Sequence, residues 1–227
     1  MQFIKDHPEY ALRLMHQNDF DAIEELCQRV YPEERPYTNQ ELFEHQAVYP
    51  QGQFVVEHRE TKKPIGVHFG LRLNIMHYHL DDDWETLTAS GSFLNHDSKG
   101  HSLYGADLFI HPDHQHHGLA KELTWAMREL VKHEKLWRMI GGSRMPGYSL
   151  KKNECDPSEY IEKIKTAEWV DPVLTAHLHD GWQAMGAIRG YLPHDEESAG
   201  FAAVIQWINP ECPPPADFDL SKLSRKN

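Results

Sequence analysis

The stretch Ser102–Lys132, S-L-Y-G-A-D-L-F-I-H-P-D-H-Q-H-H-G-L-A-K-E-L-T-W-A-M-R-E-L-V-K, decides how the rest of the chain is read. Leu103–Ile110 is a short apolar run with the character of a strand, and His111-Pro112 breaks it. A polar loop leads to Gly118. Beyond it Leu119, Leu123, Ala126, Met127, Leu130 and Val131 recur at steps of three and four, the apolar stripe of an amphipathic helix. Strand, tight loop and helix N-terminus together make an anion site. The first N–H groups of a helix lack an intrahelical acceptor, and the helix dipole favours negative charge there. Gly118 lets the backbone approach a ligand closely, and small Ala120 keeps the first turn uncluttered.

Toward the N-terminus, Tyr10–Met15 alternates as a first strand, and Asn18 or Asp19 is placed to cap a helix whose face is Phe20, Ile23, Leu26, Cys27 and Val30. Pro32–Pro36 interrupts. Thr38 and Glu41 then have the spacing of a capping box at the start of a second helix. Gly52–Glu60 and Ile65–Asn74 read as a hairpin about a polar turn. Toward the C-terminus, Leu136–Gly141 reads as a fifth strand and Val173–Leu178 as a short helix ending at Asp180-Gly181. Gln183–Tyr191 and Gly200–Ile208 close the set as two further strands. Two segments, 76–101 and 148–171, stand outside this alternation as insertions. The second predicts a helix starting near Asp156 or Ser158, with Tyr160, Ile161, Ile164 and Ala167 on one side. Long insertions near a site serve as lids or substrate walls, or else pad a sheet edge or a dimer contact.

Gln115-His116-His117-Gly118-Leu119-Ala120 matches the pattern Q/R-x-x-G-x-G/A, and in its strand-Pro-loop-helix setting it resembles the acetyl-CoA pyrophosphate loop of the GNAT (general N-acetyltransferase) superfamily. The order of elements from Tyr10 to Asn209 is the one that resemblance requires. It implies a mixed α/β (α+β) fold, with a central, mostly antiparallel sheet of about seven strands. That sheet is splayed between strands 4 and 5 and flanked by helices. Residues 1–210 would form one such domain and 211–227 a proline-led tail. A closer resemblance rests on G-G-S-R-M-P-G-Y (141–148), Y-I-E-K-I-K (160–165), D-P-V-L-T-A-H-L-H-D-G-W (171–182) and G-Y-L-P-H-D-E-E-S-A-G-F (190–201). These are similar to acetyltransferase modules that occur joined to carbon–nitrogen hydrolase (nitrilase-like) domains. The hydrolase itself is expected to be absent, for want of residues to build it.

The resemblance implies direct attack of an amine on acetyl-CoA within a ternary complex. Four tasks follow: holding the phosphates, polarising the thioester carbonyl, taking the amine proton, and protonating the departing thiolate. Holding falls to the backbone of Gln115, His116, His117, Gly118, Leu119 and Ala120; polarisation matches the main chain of Leu108, Phe109 and Ile110. His116 and His117 stand where relatives often carry Arg, Lys or Gly, so cofactor affinity is expected to strengthen as imidazoles protonate, near about pH 6. Asp107 is the first candidate base, with His68 and Tyr104 as alternatives. Many relatives place Tyr four residues before a Gly-aromatic pair as the acid; here Gly181-Trp182 puts His177 there, and Val170 occupies the place of an Asn often found about seven residues earlier.

Bulk properties bound the rest. A chain of 227 residues, 40% hydrophobic and 26% charged, buries a sizeable core. Net charge -12 argues against a nucleic-acid surface and suits a cationic acceptor. Asp81, Asp82, Asp83 and Glu85 are an acidic cluster that would either draw such a cation or form a solvated loop. No apolar run reaches the roughly 20 residues of a membrane helix, and three scattered cysteines make neither a disulfide framework nor a zinc knuckle. The expected address is the cytoplasm, with a homodimer left open. Seventeen histidines, four of them within 111–117, raise a metal site as a rival reading, but no metal is expected because the spacing assigns that loop to phosphates. A third class is a non-catalytic module that binds CoA for sensing or assembly.

Overall fold

The computed structural model describes residues 7–79, 82–216 and 218. The strands are β1 (Tyr10–Leu14), β2 (Gln53–His58), β3 (Pro64–Leu73), β4 (Ser102–Ile110), β5 (Arg138–Arg144), β6 (Gln183–Arg189) and β7 (Phe201–Ile208). They form one seven-stranded sheet in the order β1-β2-β3-β4-β5-β7-β6. Every neighbouring pair is antiparallel except β4 with β5. The helices are α1 (Phe20–Val30), α2 (Asn39–Val48), α3 (Trp84–Thr88), α4 (Leu119–His133), α5 (Pro157–Lys165) and α6 (Leu174–His179).

Each face of the sheet carries its own core. The stripe of α4 buries Leu123, Met127 and Leu130 against Leu103 and Met139, with α5 and α6 adding Tyr160, Ile164 and Leu174. On the other face Ile23, Leu26 and Leu42 of α1 and α2 cover Val67, Phe69, Tyr104 and Ile140. The capping box of α2 forms as read: Glu41 N–H donates to Thr38 Oγ1 at 3.2 Å, and Thr38 N–H donates to Glu41 Oε2 at 2.8 Å. Asp19 does something else than cap α1. Its carboxylate accepts from His16 N–H and, bidentately, from Arg13, which fixes a 3-10 turn at Gln17–Asp19 from which α1 continues.

The insertions are structured differently from one another. Residues 148–171 hold α5, capped by Asp156, whose Oδ1 accepts from Ser158 and Glu159 N–H. Among the described residues of 76–101 the α-helix is the five-residue α3, capped by Asp83, and a 3-10 turn at Ile75–His77 precedes it. Asp82 is buried and accepts from His79 N–H at 2.8 Å, so it and Asp83 serve the local fold, while Glu85 is exposed. Asp81 lies outside the described residues, as does the tail beyond residue 216 apart from Phe218, whose ring meets Trp137 at 4.5 Å.

Between β4 and β5 the pairing runs from Ser102–Arg138 to Gly105–Gly141 and then stops. Beyond that point β4 stays with β3 as far as Ile110, while β5 stays with β7 as far as Arg144. The sheet therefore opens into a fork, and the α4 N-terminus stands at the β4 side of its mouth. Leu123, fully buried where α4 meets the sheet, tests this arrangement. Leu123→Ala is expected to cost about 2–5 kcal/mol of stability, read from urea unfolding followed by circular dichroism.

Candidate active site

The loop before α4 leaves its amides free. Gln115 N–H closes a turn onto Pro112 and Glu122 N–H bonds Gly118, but the N–H groups of His116, His117, Gly118, Leu119, Ala120 and Lys121 have no acceptor among the described residues. Gly118 has φ +78, and nothing lies within 4 Å of where its Cβ would stand. The space above the loop is open, and the left-handed backbone that aims these donors into it favours glycine. Tyr10 of β1 pins the loop from below, its hydroxyl 3.2 Å from His114 Nδ1 and 2.9 Å from His117 Nδ1. Burial, with His111 and His58 nearby, lowers the pKa of His114. Among the described residues no three His, Cys, Asp or Glu side chains converge on a point that would hold a metal ion.

At the crotch of the fork both strands carry glycine. A Cβ on Gly105 would stand 2.9 Å from Met139 and 3.1 Å from His68, and one on Gly141 would stand 3.1 Å from the Gly105 carbonyl. Beyond them Ala106–Ile110 of β4 and Gly142–Arg144 of β5 are not paired with each other. Leu108 and Ile110 turn to the α4 face, and Phe109 turns to the α1 face against Tyr31 at 5.7 Å between ring centroids.

Asp107 also faces α1 and α2, where Tyr37 donates to its Oδ2 at 3.3 Å. Burial, with the Glu34 carboxylate close by, pushes its pKa up to about 7, although Tyr37, the Leu108 N–H and Arg144 pull the other way. The alternatives fare worse as bases. His68 lies on the opposite face with its pKa pushed down to about 3 by burial. Tyr104 shares its hydroxyl with that of Tyr191 at 2.5 Å, and burial carries it well above the usual phenol range. Charge on this side is negative. Arg144 is held by Asp195 at 2.6 Å and Glu197 at 3.1 Å, and Arg35 is held bidentately by Glu41. The carboxylates of Glu34 and Asp107 have no ion-pair partner among the described residues, and burial raises Glu34 as well.

His177 lies on the other face, level with the gap. Its Nδ1 is 2.9 Å from Ser143 Oγ on β5, and its ring meets Trp182 edge-on at 5.8 Å. The surrounding protein lowers its pKa to about 4, chiefly through lost hydration. It is therefore neutral at pH 7, a hydrogen-bond donor rather than an imidazolium acid. Asp171, beside the place where relatives often carry Asn, is consumed structurally: it accepts from Tyr160, Gly147, Val173 and Leu174 and so fixes the start of α6. Tyr10, Glu34, Tyr37 and Ser143 escaped the sequence reading. Tyr37 and Asp107 are 70 residues apart and Ser143 and His177 are 34 apart, so no local spacing announces either pair.

Comparisons with known proteins bear on family and fold. Residues 20–142 match a family model described as the acetyltransferase (GNAT) family. Over 199 residues the chain is 29% identical to a Bacillus subtilis (strain 168) protein named probable hydrolase YhcX, which covers 88% of this chain and 38% of that protein. It is 28% identical over 186 residues to the uncharacterized N-acetyltransferase YkwB of the same organism, covering 82% and 81%. The chain thus spans well under half the length of the first relative and most of the second. Among solved structures, the loading GNATL domain of CurA from Lyngbya majuscula superposes with a TM-score of 0.74 at 22% identity, over 88% of this chain and 98% of that one. The GNAT-like decarboxylase GphF in complex with isobutyryl-CoA gives 0.70 at 22% identity, over 88% and 99%. At such identities the likeness is one of fold.

The loop chemistry yields a pH test. Protonated imidazoles add positive charge beside the free amides, so the dissociation constant for coenzyme A, measured by calorimetry, is expected to fall severalfold from pH 8 to 5.5. His116→Ala with His117→Ala should flatten that dependence.

Proposed function

The chain belongs to the acetyltransferase (GNAT) family, and from that premise we propose that it moves the acetyl group of acetyl-CoA directly to a primary amine on a small molecule, inside a ternary complex. Membership makes it an acyl-CoA-dependent acyltransferase, and the choice of acceptor is what the cleft must supply. The observation that carries the reading is Asp107. A carboxylate with a proton affinity matched to neutral pH stands at the edge of a sheet gap, on the face opposite α4.

Acetyl-CoA supplies an acyl group already activated as a thioester. The amides of His116–Lys121 hold its diphosphate, and the gap beside Ala106–Ile110 takes the pantetheine arm. The amine enters from the α1–α2 side, where Glu34 and Asp107 favour a cation and disfavour an anionic acceptor. An amine that enters as a cation loses two protons: the second, released as nitrogen bonds to the carbonyl carbon and the carbon–sulfur bond breaks, leaves through water toward the thiolate, and the first, whose loss frees the lone pair for attack, goes to Asp107. Held near 7, it accepts that proton at less cost than an ordinary carboxylate would. His177, neutral and anchored by Ser143, offers its Nε2–H to the departing sulfur when Nδ1 accepts from the serine. Full proton transfer to sulfur then falls to water, because a neutral imidazole is a weak acid.

A second reading has an observation of its own. A GNAT-like decarboxylase shares the fold at 22% identity, and Ser143 and His177, 2.9 Å apart, lie on the face of the sheet opposite Asp107. On that reading an acyl-CoA bearing a second carboxylate loses carbon dioxide. Release of carbon dioxide from malonyl-CoA without an amine would favour it.

Thiol release from acetyl-CoA across an amine panel tests the main reading, and none with any amine would leave a CoA-binding module. With an active amine, kcat/KM should rise with pH through about 7, because the base works only when deprotonated, and then level off. Asp107→Asn should cost about 100-fold or more and remove that rise. His177→Phe should lower kcat without adding or removing a limb between pH 6 and 9, since its own titration lies near 4.

A further inference from the structure

The β4 strand carries one residue more than its partner. Phe69 pairs with Asp107 and Gly70 with Gly105, so Ala106 is skipped and forms a bulge. Up to that point the side chains alternate, Leu103 toward α4 and Tyr104 toward α1. A regular strand would continue with Asp107 toward α4 and Leu108 toward α1. The observed order is the reverse. Ala106 and Asp107 both turn to the α1 face, and Leu108 returns to the α4 face. The bulge alone therefore puts this carboxylate on the acceptor side of the sheet.

A bulge there is expensive unless its freed backbone groups find partners. Ala106 is skipped by the β3 ladder and lies past the last β4–β5 pair, which leaves its carbonyl without a strand partner. The Trp84 indole supplies one, donating from Nε1 at 3.0 Å. Trp84 belongs to the 76–101 insertion, and its own position is fixed. Thr88 Oγ1 donates to its carbonyl at 2.7 Å, and its ring lies 6.5 Å from that of Tyr37, the phenol that bonds Asp107. At Gly91 a Cβ would stand 3.1 Å from the indole edge, and His45 Nε2 bonds the Gly91 carbonyl at 2.6 Å.

We propose that Trp84 is a positioning residue: the insertion before β4 uses its indole N–H to lock the Ala106 bulge in the conformation that turns Asp107 into the acceptor cleft. The insertion is then part of the catalytic apparatus and not padding on the sheet. Trp84 acts through the backbone and never touches the reacting atoms. The proposal rests on the acetyltransferase reading only for its turnover readout.

The test is Trp84→Phe, which keeps an aromatic ring and deletes the donor. The groups that face Asp107 are Cys27, Tyr31, Glu34 and Tyr37 from α1 and the segment after it, Tyr104 and Tyr191 from the sheet side, and Arg144 from β5. The substitution changes the identity of none of them, and among them Tyr37 lies beside the replaced ring. Carboxyl-carbon NMR, with Asp107 assigned by its loss in Asp107→Asn, should show the Asp107 titration moving away from about 7 in Trp84→Phe. The pH limb of kcat/KM should move with it, kcat should fall about tenfold, and the dissociation constant for coenzyme A should stay unchanged. A variant that merely loses thermal stability, with titration and pH limb intact, overturns the proposal. Should the protein acetylate no amine, the carboxyl titration still decides the question. Should Trp84→Phe fail to fold, the wild-type indole N–H decides it: slow solvent exchange and a resonance that follows the Asp107 titration support the lock, and exchange as fast as a surface indole refutes it.

Discussion

Everything in this molecule depends on two strands parting company. Backbone groups in a sheet are satisfied by their neighbours, so opening a sheet in mid-strand exposes donors and acceptors that need other partners. The fork is tolerated because β4 keeps β3 and β5 keeps β7 beyond Gly105–Gly141, so that each arm loses only one of its two neighbours. Glycine on both arms lets them come within reach at the crotch before they diverge, where a side chain would strike Met139, His68 or the facing carbonyl. The bulge at Ala106 falls just beyond the last β4–β5 pair. The opening is thus a property of main chain.

The fork also separates two chemistries that would interfere if mixed. On the α4 face stand the free amides, the histidine loop and the Ser143–His177 pair, a region rich in hydrogen-bond donors. On the α1 face stand Asp107, Glu34 and a set of buried phenols, a region that disfavours anions and holds a carboxyl near its neutral form. The low local dielectric that raises Asp107 also lowers His177, through the same loss of hydration acting on opposite charge types. The carboxyl of Asp107 is carried toward neutral pH and the imidazole of His177 stays uncharged there.

The sequence disclosed the fold far better than it disclosed the cleft. Alternation and amphipathic stripes placed all seven strands and the helices that cover them, because those patterns are imposed by burial on one face and survive in a single chain. The fifth strand was displaced. Leu136 and Trp137 look like its start, yet Leu136 N–H closes the end of α4 onto Val131, and the strand runs on through Gly142–Arg144, a stretch that looks like loop but is paired along its length by β7. The five residues of α3 are too few to show a period. Asp107 was visible as a carboxylate on the central strand; the side it faces was not, since strict alternation assigns the wrong one. Its neighbours Tyr37 and Glu34, and Trp84 on the Ala106 carbonyl, arrive from loops and an insertion with no spacing rule to connect them.

The histidine loop shows a further constraint that only the geometry brings out. One phenolic proton on Tyr10 stands between two Nδ1 atoms, those of His114 and His117. The hydroxyl donates to one ring, and to bond the other it must accept, which requires that ring to carry its proton on Nδ1. In the neutral state that second ring keeps Nε2 bare, an acceptor in a loop whose free amides solicit an anion. The first ring, accepting at Nδ1, carries its proton on Nε2. Protonation removes the asymmetry: both rings become donors at both nitrogens, and the Tyr10 oxygen has lone pairs enough to accept from each. The loop can thus gain charge without surrendering its anchor to β1.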